Sequence, residues 1–407
     1  MNVIFVTVSN INELKTKGIF PSLMKKIRNE GHQLYIVSPA ERKMGQDTHI
    51  IDVDGVKILK VKTLNIQKTN VVEKGIGTLL IESQYKRAIK KHLGDVKFDL
   101  ILYSTPPITF TNVVRFLKKR NPQAISYLLL KDIFPQNAGD LGMFGKKSLF
   151  NWYFRRKEVA LYKNSDFIGC MSPANVEFLK KHNSYYPVDH VEVAPNSIEL
   201  EEDILDAGHY SAERNYIRKK YGLPTDKPIF LYGGNLGKPQ GIDYLIKCLD
   251  ANKQRQDCFF VVVGNGTEYG KLKTWYSENL DVDANLNVKL MERLPREDYG
   301  LLVKYCDVGM IFLDHRFTIP NYPSRLLPYL ENKMPVICAT DVNTDIGKIA
   351  EENGYGYWCE SVKPEDFTVL VDKMLASDMK AMGEKGYEFL KQNYLVENTY
   401  NAIMRHF

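Results

Sequence analysis

Three charged residues stand where the chain turns after an apolar run: Asp132, Lys238 and Arg325. Asp132 follows the run 125–130. In open α/β sheets ligands bind outside the carboxyl ends of the strands, so a carboxylate there is placed to hold hydroxyl groups. Capping of the turn is the plainer role, and the residues alone leave both open. Lys238 lies inside Gly-Gly-Asn-Leu-Gly-Lys-Pro-Gln-Gly, residues 233–241. Glycines let such a turn close tightly and leave its N–H groups free. Residues 229–232 before it read as a buried strand, and Ile242, Leu245, Ile246 and Leu249 after it recur at helical spacing. Strand, glycine turn and helix aim a helix N-terminus at an anion, usually a phosphate. Gly234, Asn235, Gln240 and Gly241 are therefore binding candidates. Gly264 and Gly266 form a second such turn after the run 258–263. Arg325 follows Ser324, which can cap a helix, and a guanidinium there brings a fixed fork of donors to an anion.

The elements that must position these residues alternate as strand and helix. Residues 2–8 and 33–38 are expected strands, with Ile19, Phe20, Leu23, Met24 and Ile27 forming the apolar stripe of a helix between them. This βαβ opening predicts a parallel sheet. A helix is expected over 76–93, and strands over 99–103, 125–130 and 166–171. His32 sits at a helix end and reads as structural. A polar stretch near 199–213 fits a domain boundary. Strands resume at 229–232, 258–263, 287–291 and 307–313, and 378–407 is mostly helical. The fold class is α/β: two doubly wound, Rossmann-like domains facing a cleft. The expected divisions are 1–197, a linker 198–215, 216–385, and a terminal helix 386–407.

The whole chain has 407 residues and a formal charge of +6, too little to suggest nucleic acid without a focused patch. Six cysteines without a Cys-x-x-Cys read as buried reduced thiols. The eight histidines show no metal-ligand spacing. No basic leader with an apolar core opens the chain, and no apolar run approaches the ~20 residues of a membrane helix. A cytoplasmic protein is expected, free or peripheral on the inner face of the membrane. Residues 144–157 mix Phe144, Phe150, Trp152, Tyr153 and Phe154 with Lys146, Lys147, Arg155, Arg156 and Lys157. Such a mixture can lie on an anionic membrane surface. A core-facing helix with a solvated basic face is the preferred reading.

The segment Gly-Gly-Asn-Leu-Gly-x-x-Gln-Gly then Asp-Tyr-Leu-Ile resembles the start of the donor domain in GT-B glycosyltransferases of the family 4 type. Lys-Asp-Ile-Phe-Pro-Gln, 131–136, resembles the Arg-Asp-Leu-Trp-Pro-Glu stretch of the bacterial N-acetylfucosamine transferases within that family. Pro-Ser-Arg-Leu-Leu-Pro-Tyr-Leu, 323–330, resembles its Pro-Ser-Lys-Leu-x-Glu-Tyr-Leu. The resemblance covers nearly the whole chain, and the order of the motifs carries more than any one of them. It implies a retaining transferase, moving a sugar from a nucleotide-sugar donor to a lipid-linked saccharide in bacterial capsule, O-antigen or exopolysaccharide synthesis, with no metal. It also implies that Arg293 and Leu294 lie in a loop contacting the base, that Gly18 and Gln136 lie on the acceptor side, and that the terminal helix 386–407 crosses back to the first domain. The chain departs from the pattern at four positions. Asn235 and Gln240 stand where an Arg and a Lys hold the diphosphate, and Pro320 and Pro328 where two Glu stand. The alternatives are a non-catalytic GT-B subunit bound to a transferase partner, or a GT-B epimerase, for which no in-cleft set of carboxylates and histidines stands out. Limited proteolysis should cut between 198 and 216 and leave two resistant fragments; cuts scattered through both halves would count against two domains.

Overall fold

The computed structural model describes residues 1–67, 69–143, 145, 147–200, 207–283 and 285–407. The chain divides into two compact units, Met1–Glu199 with Leu395–Phe407, and Leu200–Tyr394.

The first unit holds eight strands: β1 (Asn2–Val6), β2 (Gln33–Glu41), β3 (His49–Val53), β4 (Val56–Thr63), β5 (Leu100–Ser104), β6 (Ile125–Leu130), β7 (Phe167–Cys170) and β8 (Val191–Val193). Their order is β3-β4-β2-β1-β5-β6-β7-β8. Only the edge pair β3–β4 is antiparallel; the other pairings are parallel. Every residue of β5 is buried, as a parallel strand covered on both faces requires. Helix Ile19–Asn29 buries Leu23, Met24 and Ile27. These join Val3, Phe5, Leu102 and Leu129 in one apolar core, which Val396, Ala402 and Ile403 of the last helix complete.

The second unit holds β9 (Ile229–Asn235), β10 (Phe259–Asn265), β11 (Val288–Met291), β12 (Val308–Phe312), β13 (Val336–Thr340) and β14 (Gly356–Glu360). All pairings are parallel, in the order β11-β10-β9-β12-β13-β14. Helix Ile242–Asn252 lays Leu245 and Leu249 over Phe260, Val262 and Phe312. Arg218 is buried and ties the start of this sheet together. Its guanidinium donates to the Asp307 carboxylate at 2.5 Å and to the carbonyls of Tyr305 and Lys227 at 2.9 Å. The same carboxylate accepts from the Ile229 N–H at 2.6 Å.

Three expected boundaries shift. The helix expected from 76 begins at Val71, because the Asn70 side chain accepts from the Glu73 N–H at 2.8 Å and so caps an earlier turn. The linker expected to 215 turns helical at Ala207, in helix Ala207–Lys220, and 201–206 lie outside the described residues. The expected terminal helix divides into Met379–Asn393 in the second unit and Val396–Met404 in the first.

Glycine is required where the ends of β9 and β10 touch. A Cβ on Gly264 would lie 1.9 Å from the Gly234 carbonyl oxygen, which is backbone and cannot swing away. Around Gly300, in helix Arg296–Lys304, space is open. Gly264→Ala should therefore destabilise the second unit by about 3 kcal/mol. Gly300→Ala should stabilise it by roughly 0.5–1 kcal/mol. Urea unfolding in a Trp152→Phe background, read by Trp275 and Trp358 fluorescence, checks both.

Candidate functional site

In the second sheet the chain runs outward from β9 to β10 and β11, then returns to β12 on the other side of β9. Ligands bind in such sheets outside the carboxyl ends of the strands at this switch point. Gly233, Gly234 and Asn235 end β9, and Leu313 and Asp314 follow β12. Gly234 is exposed with φ 128°. Asn235 and Gln240 are tied to each other, the Gln240 Oε1 accepting from Asn235 Nδ2 at 3.0 Å and from the Gly237 N–H at 3.2 Å. Both amides thus brace the turn. Gly241, at φ 59°, brings the turn onto β12: a Cβ there would lie 3.3 Å from Asp314 Cα, and the Asp314 N–H donates to the Pro239 carbonyl at 3.0 Å. Gly264 and Gly266 serve close packing, for a Cβ on Gly266 would lie 2.3 Å from the Leu236 carbonyl oxygen. Lys238 is exposed in the turn and makes no ion pair among the described residues.

The Arg325 guanidinium lies against this turn. Its Cζ is 4.4 Å from the centre of the Tyr232 ring, and a Cβ on Gly234 would lie 3.7 Å from it. Its Nη1 is buried without a hydrogen-bond partner. Burial opposes the charge, yet Tyr232, Tyr329 and Tyr299 beside it hold its pKa above the ordinary value. Tyr329 accepts from the Gly233 N–H at 3.2 Å and donates to the Leu231 carbonyl at 3.2 Å. The Tyr299 hydroxyl packs where a Gly233 Cβ would be, 1.9 Å away. The helix behind Arg325 differs from expectation. Ser324 is exposed and does not cap it: the helix is only Leu326–Glu331, Arg325 occupies the N-cap position, and no side chain accepts there. The positive charge here is therefore that of the side chain. Arg293 is exposed and Leu294 half-buried, in the loop between β11 and the helix that carries Tyr299.

The first unit carries its own set at the carboxyl ends of its strands. Thr105, after β5, accepts through Oγ1 from the N–H of Lys131 at 3.0 Å and of Asp132 at 3.2 Å. Asn137 donates to Asp132 Oδ1 at 2.6 Å. Burial pushes Asp132 up to about 6, despite the Asn137 hydrogen bond. Burial also brings Lys131 down to about 7, while its Nζ donates to the Ala194 carbonyl at 3.1 Å. Gln136 opens helix Gln136–Asp140 and donates to Asp140 Oδ1 at 2.7 Å. Gly18 precedes helix Ile19–Asn29, at φ 156°. The loop between them and β1 is pinned by the buried Lys60, whose Nζ reaches Asn10 Oδ1 at 2.5 Å, Asn12 Oδ1 at 2.9 Å and the Ile11 carbonyl at 3.1 Å. Burial lowers Lys60 to about 8. His32 lies at the opposite edge, before β2, and meets the Tyr400 hydroxyl at 2.9 Å.

Sequence reasoning passed over Lys60 and the three tyrosines, because charge and glycine spacing were its guides. Tyr329 stood inside a quoted motif but carries no charge. Among the described residues no three of His, Cys, Asp and Glu stand close enough to hold a metal ion. None of their helices is long and apolar enough to cross a membrane.

Two Rossmann-like sheets of this kind make the fold GT-B, and solved structures agree over the full length. Sucrose-phosphate synthase from Thermosynechococcus elongatus covers 99% of the chain and 98% of its own at TM-score 0.73 and 12% identity. WaaG, a glycosyltransferase involved in lipopolysaccharide biosynthesis, covers 99% of both at TM-score 0.65 and 15% identity. HepE from Anabaena, solved in complex with UDP, covers 100% of the chain and 99% of its own at TM-score 0.67 and 13% identity. Residues 213–389, which lie within the second unit, match the family Glycosyl transferases group 1. The chain is 23% identical over 267 residues to the probable glycosyltransferase WbjE of Pseudomonas aeruginosa, 66% of this chain and 64% of that one. It is 24% identical over 163 residues to the colanic acid biosynthesis protein WcaI of Escherichia coli, 39% of this chain and 38% of that one. The chain thus spans less than two thirds of the length of these relatives.

The pair Lys131–Asp132 sets opposite pH dependences. The folded pKa of Asp132 lies above the unfolded value, so its contribution to stability is present near pH 4 and lost as pH rises through about 6. The folded pKa of Lys131 lies below the unfolded value, so stability should rise as pH climbs from about 7 toward 10. Asp132→Asn should flatten the fall and Lys131→Met the rise, in urea titrations from pH 4 to 10. Curves parallel to wild type would remove these assignments.

Proposed function

We propose that the protein transfers a glycosyl group from a nucleoside-diphosphate sugar to a hydroxyl of a lipid-linked saccharide, in bacterial surface-polysaccharide synthesis. The observation that carries this is Arg325: a guanidinium without a carboxylate, its Nη1 buried and unpartnered, against an exposed glycine turn at the sheet's switch point. A cation that no residue neutralises is suited to a diphosphate. The reaction breaks the bond from the anomeric carbon to the diphosphate oxygen and forms one to the acceptor oxygen. The acceptor's proton passes to the departing diphosphate, whose charge Arg325 and Lys238 stabilise. Configuration is retained if attack comes from the leaving group's own face. The loop of Arg293 and Leu294 would flank the base, and Asp132, with Gly18 and Gln136 on the same unit, would orient the acceptor hydroxyl. No metal is needed where these bases supply the charge. A lipid-linked acceptor would be met at the cytoplasmic face of a membrane. The relatives named as glycosyltransferases, and HepE's complex with UDP, support the reading.

One observation favours a second reading. Pro320 is buried and Pro328 is half-buried, and neither side chain can accept from ribose hydroxyls. A chain that binds diphosphate weakly and supports a catalytic partner would tolerate that loss.

Calorimetry of uridine, UMP and UDP separates the two, with the guanosine series beside them. In the active reading diphosphate carries most of the affinity, and Arg325→Ala weakens its binding. The variant should also lower turnover by on the order of a hundredfold, the usual effect of losing a donor to a developing anion. Lys238→Ala should cost less, since lysine is a flexible point charge. Nucleoside binding equal to diphosphate binding, or diphosphate binding unchanged in Arg325→Ala, would overturn the assignment.

A further inference from the structure

The largest exposed apolar side chains of the first unit gather on two helices. On helix Leu149–Lys163, Leu149 is 83% exposed, Phe150 68% and Trp152 57%. Met143 is exposed just before it. The sequence alone favoured a core-facing helix here, but burial begins only at its far end, with Glu158, Leu161 and Tyr162. Phe144 and Lys146 lie outside the described residues. On helix Val71–His92, Ile76, Leu79 and Leu80 are exposed in turns that the sequence did not single out.

Topology places both groups along one edge. Helix Val71–His92 runs from β4 to β5, and helix Leu149–Lys163 from β6 to β7, and all four strands lie in the sheet's parallel part. In a parallel crossover the helix starts at the carboxyl end of the strand it leaves. The first turns of both helices therefore flank the edge that carries Thr105 and Asp132. Glu82 and Lys157 join the two helices at 3.3 Å.

Acidic residues flank these segments, Glu82 pairing with Lys157 and Glu158 with Arg155, and among the described residues the charges left unpaired on the exposed turns are basic. Segments 74–80 and 143–157 contain Lys74, Lys146, Lys147, Arg155, Arg156 and Lys157, and no acidic residue. Lys74, Lys147 and Arg156 are exposed, and Arg156 lies over the Trp152 ring at 4.8 Å. A protein partner's interface is depleted of like-charged lysines at its core, whereas bases beside protruding aromatic and aliphatic side chains suit acyl chains below phosphate headgroups.

We propose that the first turns of helices Val71–His92 and Leu149–Lys163 form one face that seats the first unit on an anionic phospholipid bilayer. The proposal rests on the reading of a lipid-linked acceptor, for which it supplies the approach: the face brings the edge with Asp132 to the height of the headgroups. Its bases attract the surface and its apolar side chains hold it.

Sedimentation of the full chain with vesicles tests it, using phosphatidylcholine alone and phosphatidylcholine mixed with phosphatidylglycerol. The vesicles contain neither donor nor acceptor, so the result is independent of the proposed reaction, which the nucleotide calorimetry judges separately. Binding is expected only to the anionic vesicles, with a blue shift of Trp152 fluorescence and loss in high salt. Leu79→Ser/Leu80→Ser and Phe150→Ser/Trp152→Ser should each lower the partition at least tenfold. Lys147→Gln/Arg156→Gln changes only exposed charges, cannot disturb the core, and should lower it about tenfold at low salt. No binding to anionic vesicles at low salt would overturn the proposal. Binding that none of the three pairs weakens would overturn it as well. So would a dimer, seen by sedimentation velocity, that the same substitutions dissociate while vesicles bind nothing.

Discussion

The second unit depends on a place where side chains are excluded. At the carboxyl edge of its sheet, β9 and β10 meet backbone to backbone, with Gly264 across from Gly234. Neighbouring turns close onto the same spot: Gly241 onto Asp314, Gly266 onto Leu236. These approaches leave the Gly234 backbone exposed with the Arg325 guanidinium beside it. Had any of these positions carried a Cβ, the turn would move away from β12, and Arg325 would lose the surface it lies against.

What keeps Arg325 available is the chemistry of its neighbours. A carboxylate at hydrogen-bond distance would neutralise it and compete with any anionic ligand. Tyr232 instead offers its ring face, with Tyr299 and Tyr329 close by, and none of the three cancels the charge as a carboxylate would. Two of the hydroxyls are anchored in turn by the Gly233 backbone, one by hydrogen bond and one by contact. The acidic group that does stand nearby in sequence, Asp314, is taken by the guanidinium of Arg316 at 2.7 and 2.8 Å. The carboxylate and the free cation are thus kept apart within one edge.

The first unit meets the same problem with polar anchors. Thr105 collects the N–H groups that follow β6, Asn137 holds the Asp132 carboxylate, and Lys60 gathers the loop after β1. Each anchor is a side chain from a neighbouring strand or turn that satisfies backbone or amide groups which burial would otherwise strand. Such networks rigidify a binding edge while keeping it polar. Burial moves Asp132 to about 6 and Lys131 to about 7, and the Asn137 hydrogen bond opposes the shift at Asp132.

The alternation of apolar runs and helical stripes was enough, by itself, to establish two parallel α/β halves, because a strand buried on both faces must be apolar throughout. It also placed Asp132, the glycine turn 233–241 and Arg325 after strands, since turn residues and charges are legible locally. What each of those residues touches was decided only in three dimensions. Asn235 and Gln240 read as failed cations, and the fold makes them a brace for each other. Ser324 read as a helix cap, and the fold starts the helix two residues later without one. Tyr299 and Tyr329 approach Gly233 from elements 66 and 96 residues away, a distance no periodicity spans. The exposed turns of helix Val71–His92 escaped the sequence for the same reason, and for helix Leu149–Lys163 the sequence offered a surface reading but preferred a core-facing one. An apolar stripe states that a surface seeks cover, and only packing states whether the protein itself supplies it.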